Sequence, residues 1–451
     1  MANATTPSVR NLVGVENLIP AYEALSAEPS SRAVPDWLVE LRQSGEARMR
    51  AEGLPTRSLE AWKYTNLAPL LEGDWMVAEA FADDELPARD LFPAYEGDHS
   101  GEIVVLNGRL LPQWSSKNIA GVTVRTSNEV EALPLLAGRS PIQAALNASL
   151  LRDVIVIDIK AGSHFKKPIV ISTFSFGTES LTKWSASAPR FVINVGSGCE
   201  IALVEMSGGE GRTIHIPMTT INVAKGSRVS HVRLNTNQDA GVQLGYTQIS
   251  LARDSFCETY QFTLGGRISR EDLDILLTEP GAEALLDGLY LADGKRHVDH
   301  STNVEHIAPH TTSSQLYKGI LNDESRAVFN GRVHIHRDAQ KSMAAQLNNN
   351  LILSKRAEID TKPELAIDAD DVKASHGATI GQIDPEHVFY LLARAILEDD
   401  AIKMLAKGFA QDVAFRIQND VIRPVIEKVV EKRLEKTLEK TLAKSEALHG
   451  H

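Results

Sequence analysis

From Glu102 to about Asp370 the chain produces one short β-branched run after another, with no long helical pattern recurring between them. EIVVLNG, VIVIDIKAG, PIVISTF, RFVINVGSGCEIALVE, TTINVAKGSRVSHVRL, GRVHIHRDAQ and NNLILSKRAEIDTKPELAI alternate well and are punctuated by Gly, Asn, Asp and Lys. Without regular crossover helices a βαβ sheet is not expected. A weak repeat narrows the choice further. A small or basic residue, then a polar one, leads into an apolar position at Ile201, Val229, Phe256, Val298, Val328 and Ile359. One longer gap aside, these lie about 27–31 residues apart. A strand–turn–strand unit of that length buries its apolar face only by stacking on neighbours. The expected core is therefore a β-solenoid, preferred to a β-sandwich, which would give similar strands without the regular spacing.

The flanks read as helical. In DWLVELRQSGEARMRAEG, Trp37, Leu38 and Leu41 fall at helical spacing, and GLPTRSLEAWKYTNLAPL follows as a turn and a short amphipathic piece carrying Trp62 and Tyr64. After the strands, Asp384 is a good N-cap, Pro385 suits the first helical position and Glu386 favours the positive helix end. Val388, Leu391, Leu392, Ala395 and Ile396 then share a face. Ile402, Leu405, Phe409, Val413 and Ile417 form the stripe of a second helix. The charged tail, with Leu434, Leu438 and Leu442 in line, is expected as a solvated or partner-packed helix. In it Lys428/Glu431, Lys432/Glu435 and Lys436/Glu439 lie three apart and offer surface pairing. The expected division is a helical part (1–100), a β core (101–375) and a C-terminal helical part (376–451).

The 451 residues are 43% hydrophobic and 24% charged, enough for two or three folded domains. A net charge of −12 argues against a nucleic-acid or anionic-membrane partner. No apolar run is long enough to cross a bilayer, and the opening MANATTPSVRNLVGVENLIP lacks the pattern of a secretory signal. Two distant cysteines, Cys199 and Cys257, make neither a disulfide framework nor a CxxC knuckle, so a cytoplasmic location is expected.

No GxxxxGK phosphate loop, GxGxxG fingerprint, HExxH or GxSxG elbow occurs, so nucleotide hydrolase, zincin and α/β-hydrolase readings fall away. HVDHSTNVEHIAPH gathers His297, His300, His306 and His310 with Asp299 and Glu305, and HIH puts His334 and His336 on one strand face. Such groups ligate zinc or iron, but the spacings match no standard metal motif, and a structural role is preferred. A homodimer storing metal through His297 and His300 is one alternative, since open β ends invite self-association. A polysaccharide-acting β-helix enzyme is another, its acids drawn from Asp368, Asp370 and Asp371. In DVKASHGATIGQIDPEH, the Ser375-His376-Gly377 segment reads either as a plain turn or as a functional imidazole at a domain junction.

The stretch from Gln315 to Ile396, QLYKGILNDESRAVFNGRVHIHRDAQKSMAAQLNNNLILSKRAEIDTKPELAIDADDVKASHGATIGQIDPEHVFYLLARAI, closely resembles the SufB/SufD family of iron–sulfur cluster assembly proteins. GLPTRSLEAWKYTNL looks like the N-terminal signature of its SufD branch. The resemblance implies a right-handed parallel β-helix with helical domains at both ends. It also implies a non-catalytic scaffold that pairs with a SufB-like paralogue through the β-helix ends and recruits a SufC-like ATPase through its C-terminal helices. The family pattern Lys-Cys-Ser-His-Gly falls on Lys373 to Gly377, with Ala374 at the cysteine position. His376 matches the family histidine associated with a transient cluster at the SufB–SufD interface, and it is the candidate metal and cofactor ligand. Without the thiol, no cluster is expected to be held stably by this chain alone. The candidate partner-interface residues are Ala374, Ser375, His376, Phe389, Leu392, Ile396, Leu405 and Phe409.

Overall fold

The computed structural model describes residues 15–27, 34–79, 94–133, 141–177 and 182–449, a few positions between 81 and 92, and side chains as far as residue 439. Two parallel sheets face each other as the walls of a coil stack. One runs, from the C-terminal end inward, through Glu358–Ile367, Arg326–Ile335, His297–His306, Ile268–Leu277, Val242–Leu251, Met218–Val223, Arg190–Val195 and Val154–Ile159. The other runs through Lys373–Gly381, Met343–Ile352, Thr312–Leu321, Glu283–Ala292, Phe256–Thr263, Arg228–Asn235, Glu200–Glu210 and Ile169–Phe176. The chain alternates between walls, so each coil takes one strand from each. The expected parallel β-solenoid is what forms.

The corner between the walls explains why the repeat could be seen at all. Gly198, Gly226 and Asp254 occupy equivalent places with φ of 65°, 66° and 54°. That left-handed conformation suits Gly, and Asp tolerates it. The side chains that follow enter the interior as a column: Ile201, Val229, Cys257, Ala284, Ser313, Ala344 and Ala374 are successive register partners. The repeat read from sequence follows this column only at Ile201 and Val229. Phe256 and Val328 are each one residue out, which turns a side chain to the opposite face. Val298 and Ile359 belong to the other wall, joined through Ala327. The long gap after Phe256 is the jump between walls.

Inside, Ile, Val and Leu from both walls form one continuous core, each buried side chain stabilising by about 1.5–3 kcal/mol relative to exposure. Where the interior admits larger groups, neighbouring coils alternate large and small. Tyr290 is the register partner of Gly319 and Tyr317 that of Gly288, and a Cβ on either glycine would collide with the facing ring.

Much of the outer faces is apolar too and is covered by helices, although the first wall turns polar outside from Arg270 onward, with Asp299, Glu305 and His334. On one side α1 (Ile19–Ala27), α2 (Asp36–Glu52) and α3 (Ile142–Ser149) lie over the coils, with Trp62, Trp75 and Leu146 packed on Ile214, Leu244 and Ile268. Trp62 lies under the Arg270 guanidinium, 3.9 Å from ring centroid to Cζ. Thr65 bonds both His297 (2.9 Å) and Asp299. The GLPTRSLEAWKYTNL segment is thus an anchor onto the coil wall.

On the other side α4 (Pro385–Leu392), α5 (Glu398–Phe415) and α6 (Arg423–His449) follow the last strand. In α5 it is Ala406, Ala410, Val413 and Ala414 that meet the wall. Of the stripe expected there, Val413 and Ile417 are buried while Ile402, Leu405 and Phe409 stay half-exposed, because small side chains let the helix approach the strands. The expectation of a solvated or partner-packed tail is corrected: Ile426, Val430, Leu434 and Leu438 of α6 are buried against Leu264, Leu289 and Leu291. Its charges also reach away from their own helix. Arg433 holds Asp293 with two contacts of 3.1 Å, Lys428 pairs with Glu96 at 2.6 Å and Lys407 pairs with Glu431. Leu442 lies outside the described side chains.

Gly319→Ala should force Tyr290 out of its place and destabilise the chain by about 1–3 kcal/mol. Chemical denaturation of the variant against the parent chain checks this.

Candidate functional site

Nothing among the described residues covers the C-terminal end of the stack. Among the described residues, Lys373–Gly381 pairs only with Met343–Ile352, and Glu358–Ile367 only with Arg326–Ile335. The Ser375-His376-Gly377 segment, read from sequence either as a plain turn or as an imidazole at a domain junction, lies inside the last strand, so it is not a turn and the described coil extends to Gly381, past residue 375. His376 occupies an inward position. It extends a column whose earlier members His231, Thr259, Leu286, Gln315 and Gln346 are register partners on successive coils. All five are buried, whereas His376 is exposed. It is open only because no further coil lies over it. Ile367 and Ile380, at the same stage of their own columns, are 44% and 52% exposed although their partners Ile335 and Asn350 are buried. Ala374 packs partly on the core, and Ser375 points outward beside Ala345. The end therefore presents a cross-section of coil interior, apolar with one imidazole.

Beside it stands α4. The Asp384 carboxylate accepts from the Glu386 amide at 2.8 Å, and Pro385 takes the first turn, as expected. This helix buries none of its side chains. Phe389 is 71% exposed, Leu392 40% and Leu397 72%. Ile396 and Leu405 are half-buried, as is Phe409, whose ring carries the Lys318 ammonium at 4.4 Å. An apolar groove of about 470 Å³ lies between α4, α5, α6 and the strand end, lined by Leu353, Ile383, Val388, Phe389, Ile402 and Leu438 among others.

The histidines adjacent in sequence do not gather in space. His297 bonds Thr65. His300 is fully buried between Tyr290 and Tyr317, with ring centroids 5.4 Å from each. Burial lowers its pKa to about 3. His306 is held by Thr311 and Ser313 at 2.8 Å each, and burial lowers its pKa to about 4. His310 sits in a turn with φ of 57°. A metal store built on His297 and His300 is thus overturned. Asp299 is engaged by Arg270. The acids considered for sugar chemistry lie in the turn between the last two strands, where strand alternation does not apply, and Asp368 is bonded to His334 at 2.9 Å. Both cysteines are free and buried, and burial pushes the Cys257 thiol far up, away from a thiolate ligand's role.

One group does converge. Glu305 faces His334 across neighbouring strands. Its Oε2 lies 2.9 Å from His334 Nδ1 and 2.7 Å from His336 Nε2, while Arg332 holds Oε1 at 2.9 Å. Sequence reading had set Glu305 apart from His334 because they stand one coil apart in the chain. The repeat length itself was the signal that joins them.

Residues 176–409 match the family described as SUF system FeS cluster assembly, SufBD core domain. The chain is 30% identical to the iron-sulfur cluster assembly protein SufD of Escherichia coli over 82% of its own length and 87% of that protein's. It is 28% identical to a SufBD family protein of Synechocystis (84% and 87%) and 30% identical to the chloroplastic protein ABCI7 of Arabidopsis thaliana (62% and 60%). A parallel coil stack with this sequence belongs to the SufBD family of iron–sulfur cluster assembly proteins. Within that family the chain is SufD-like. Among the described residues, no helix is long and apolar enough to cross a membrane.

The buried His300 gives a pH dependence with a definite sign. Unfolded, it takes a proton below about 6.5; folded, it resists one down to about 3, so its contribution weakens stability as pH falls through that window. His300→Phe should therefore flatten the fall of unfolding free energy near pH 5 by up to about 1.4 kcal/mol per pH unit. Denaturant titrations at several pH values check the slope.

Proposed function

We propose that the chain is a non-catalytic scaffold in iron–sulfur cluster assembly, completed at its open coil end by a SufB-like paralogue and joined at its C-terminal helices by a SufC-like ATPase. The observation that carries this reading is the exposed inward column ending in His376. A side chain in an interior position, with strand edges free beside it, fits a partner that continues the stack or its edge. In this reading a nascent cluster is cargo at that junction. His376 is the ligand or positioning group this chain offers, and the softer ligands come from the paralogue, since Ala374 has none. Roles follow the division expected from sequence, with the rod running on to Gly381: residues 1–100 brace the coil, 101–381 form the rod, and the helices after Asp384 bind the ATPase, working in the cytoplasm. Phe389, Leu392, Ile396 and Leu405 would face the ATPase, with Phe409 at the margin because Lys318 covers part of it.

Two features support the ATPase assignment. Helix α4 buries none of its side chains among the described residues and leaves Phe389 and Leu392 exposed, and the chain lacks a phosphate loop of its own. Removing the whole region after Asp384 is a poor test, because α5 and α6 cover the coil wall. Purification of the tagged chain from its native host should bring down a SufB-like chain and a P-loop ATPase. Phe389→Glu should weaken ATPase capture at least tenfold, as for a central interface aromatic, while keeping the paralogue. His376→Ala should keep both partners but reduce iron and sulfide in the complex. Purification without either partner, or full cluster loading with His376→Ala, would contradict the assignment.

A further inference from the structure

We propose that Glu305, His334 and His336 form a binding site for one divalent first-row transition-metal ion, with Asp368 as its outer carboxylate. The site lies on the outer face one coil in from the open end, with Asp368 alone coming from the last coil, and it stands independently of the partner reading.

The donor set is the first reason. Two imidazoles and a carboxylate suit zinc, and with open positions they suit ferrous iron equally. Geometry is the second. Among the described residues this is the one group of three such side chains whose ligand atoms all lie within 4.8 Å of one another. Four-coordinate zinc places neighbouring ligand atoms about 3.3 Å apart. The contacts of 2.9 and 2.7 Å from Glu305 Oε2 to the imidazoles therefore need to open by only about half an ångström around an ion. The two rings lie side by side, 4.0 Å between centroids.

The surroundings supply what metal-bound histidines usually have. His334 Nε2, the nitrogen facing away from Glu305, lies 2.9 Å from Asp368 Oδ2. A carboxylate on the far nitrogen fixes the ring's orientation and leaves Nδ1 for the metal. Arg332 occupies Glu305 Oε1 at 2.9 Å, which holds the carboxylate with Oε2 toward the rings. The scaffold is stiff at this point. Glu305 and His334 are register partners, and Ile335, between the two histidines, is fully buried in the core. Side-chain exposures of 16%, 19% and 40% for Glu305, His334 and His336 leave an approach from solvent and room for non-protein ligands. With only three protein ligands, the bound ion would be exchangeable.

The test uses the untagged full-length chain after chelator treatment. Calorimetric titration with Zn(II) should give one ion per chain, and Co(II) should develop visible d–d absorption whose intensity reports coordination number. His334→Ala, His336→Ala and the isosteric Glu305→Gln should each weaken binding at least tenfold, and Asp368→Asn by about tenfold. Circular-dichroism melts of the metal-free variants should match the parent chain. His297→Ala and His376→Ala should bind as the parent does. Absence of stoichiometric uptake would overturn the site, as would binding that survives both His334→Ala and Glu305→Gln or disappears with His376→Ala.

Discussion

A parallel strand gains its ladder only from neighbours on either side, and in a coil stack those neighbours are the preceding and following turns. That requirement organises the whole chain. Each coil is too small to bury its own apolar face, so stability grows by stacking, and the last coil keeps half of its ladder unpaired. Edge strands of this kind are a hazard unless something covers them. Here the two edge strands differ: Glu358–Ile367 carries Glu358, Asp360, Lys362, Pro363 and Glu364, whereas Lys373–Gly381 has one charge, at its start, and no proline, and presents interior positions and a histidine.

The helices solve the complementary problem on the walls. One sheet is apolar outside as well as inside and the other is so only over its N-terminal strands, and the terminal segments return to cover them, with Trp62 and Thr65 on one wall and Ala410 and Leu434 on the other. Charge enters this packing at a cost. Burial pushes Asp287 up to about 6 even with Arg416 at 2.6 Å, because desolvation outweighs the nearby guanidinium. Such a pair fixes where α5 sits more than it adds to stability. The same helices that brace the rod leave Phe389 and Leu392 of α4 exposed, so the bracing surface and the surface proposed for the ATPase are different faces of one C-terminal unit.

The sequence carried the coil architecture through its corners, where a left-handed Gly or Asp marks the turns at 198, 226, 254 and 281 before His310 and Lys341 take that place, and through the β-branched runs between them. It carried the start of α4 through Asp384 and Pro385. It carried the columns poorly, because the interior tolerates Cys257, Ser313 and Ala374 in the same column as Ile201, and composition alone does not show which way a residue faces. The histidines illustrate the consequence. His297, His300 and His306 looked like one cluster because they are close along the chain, yet each is tied to different partners. Glu305 and His334 meet because they are one coil apart. The fate of α6 was hidden too, since a helix rich in charge can still lay one narrow apolar stripe on a wall.

The central claim is that the final coil is an unfinished ladder awaiting a partner. Amide hydrogen exchange of the chain, alone and mixed with the SufB-like paralogue proposed as its partner, tests it most directly. Exchange across Lys373–Gly381 should be fast in the isolated chain and slow markedly in the mixture, while Arg190–Val195, in the middle of the stack, should be protected in both. Binding of the paralogue with no added protection along that final strand would contradict the account.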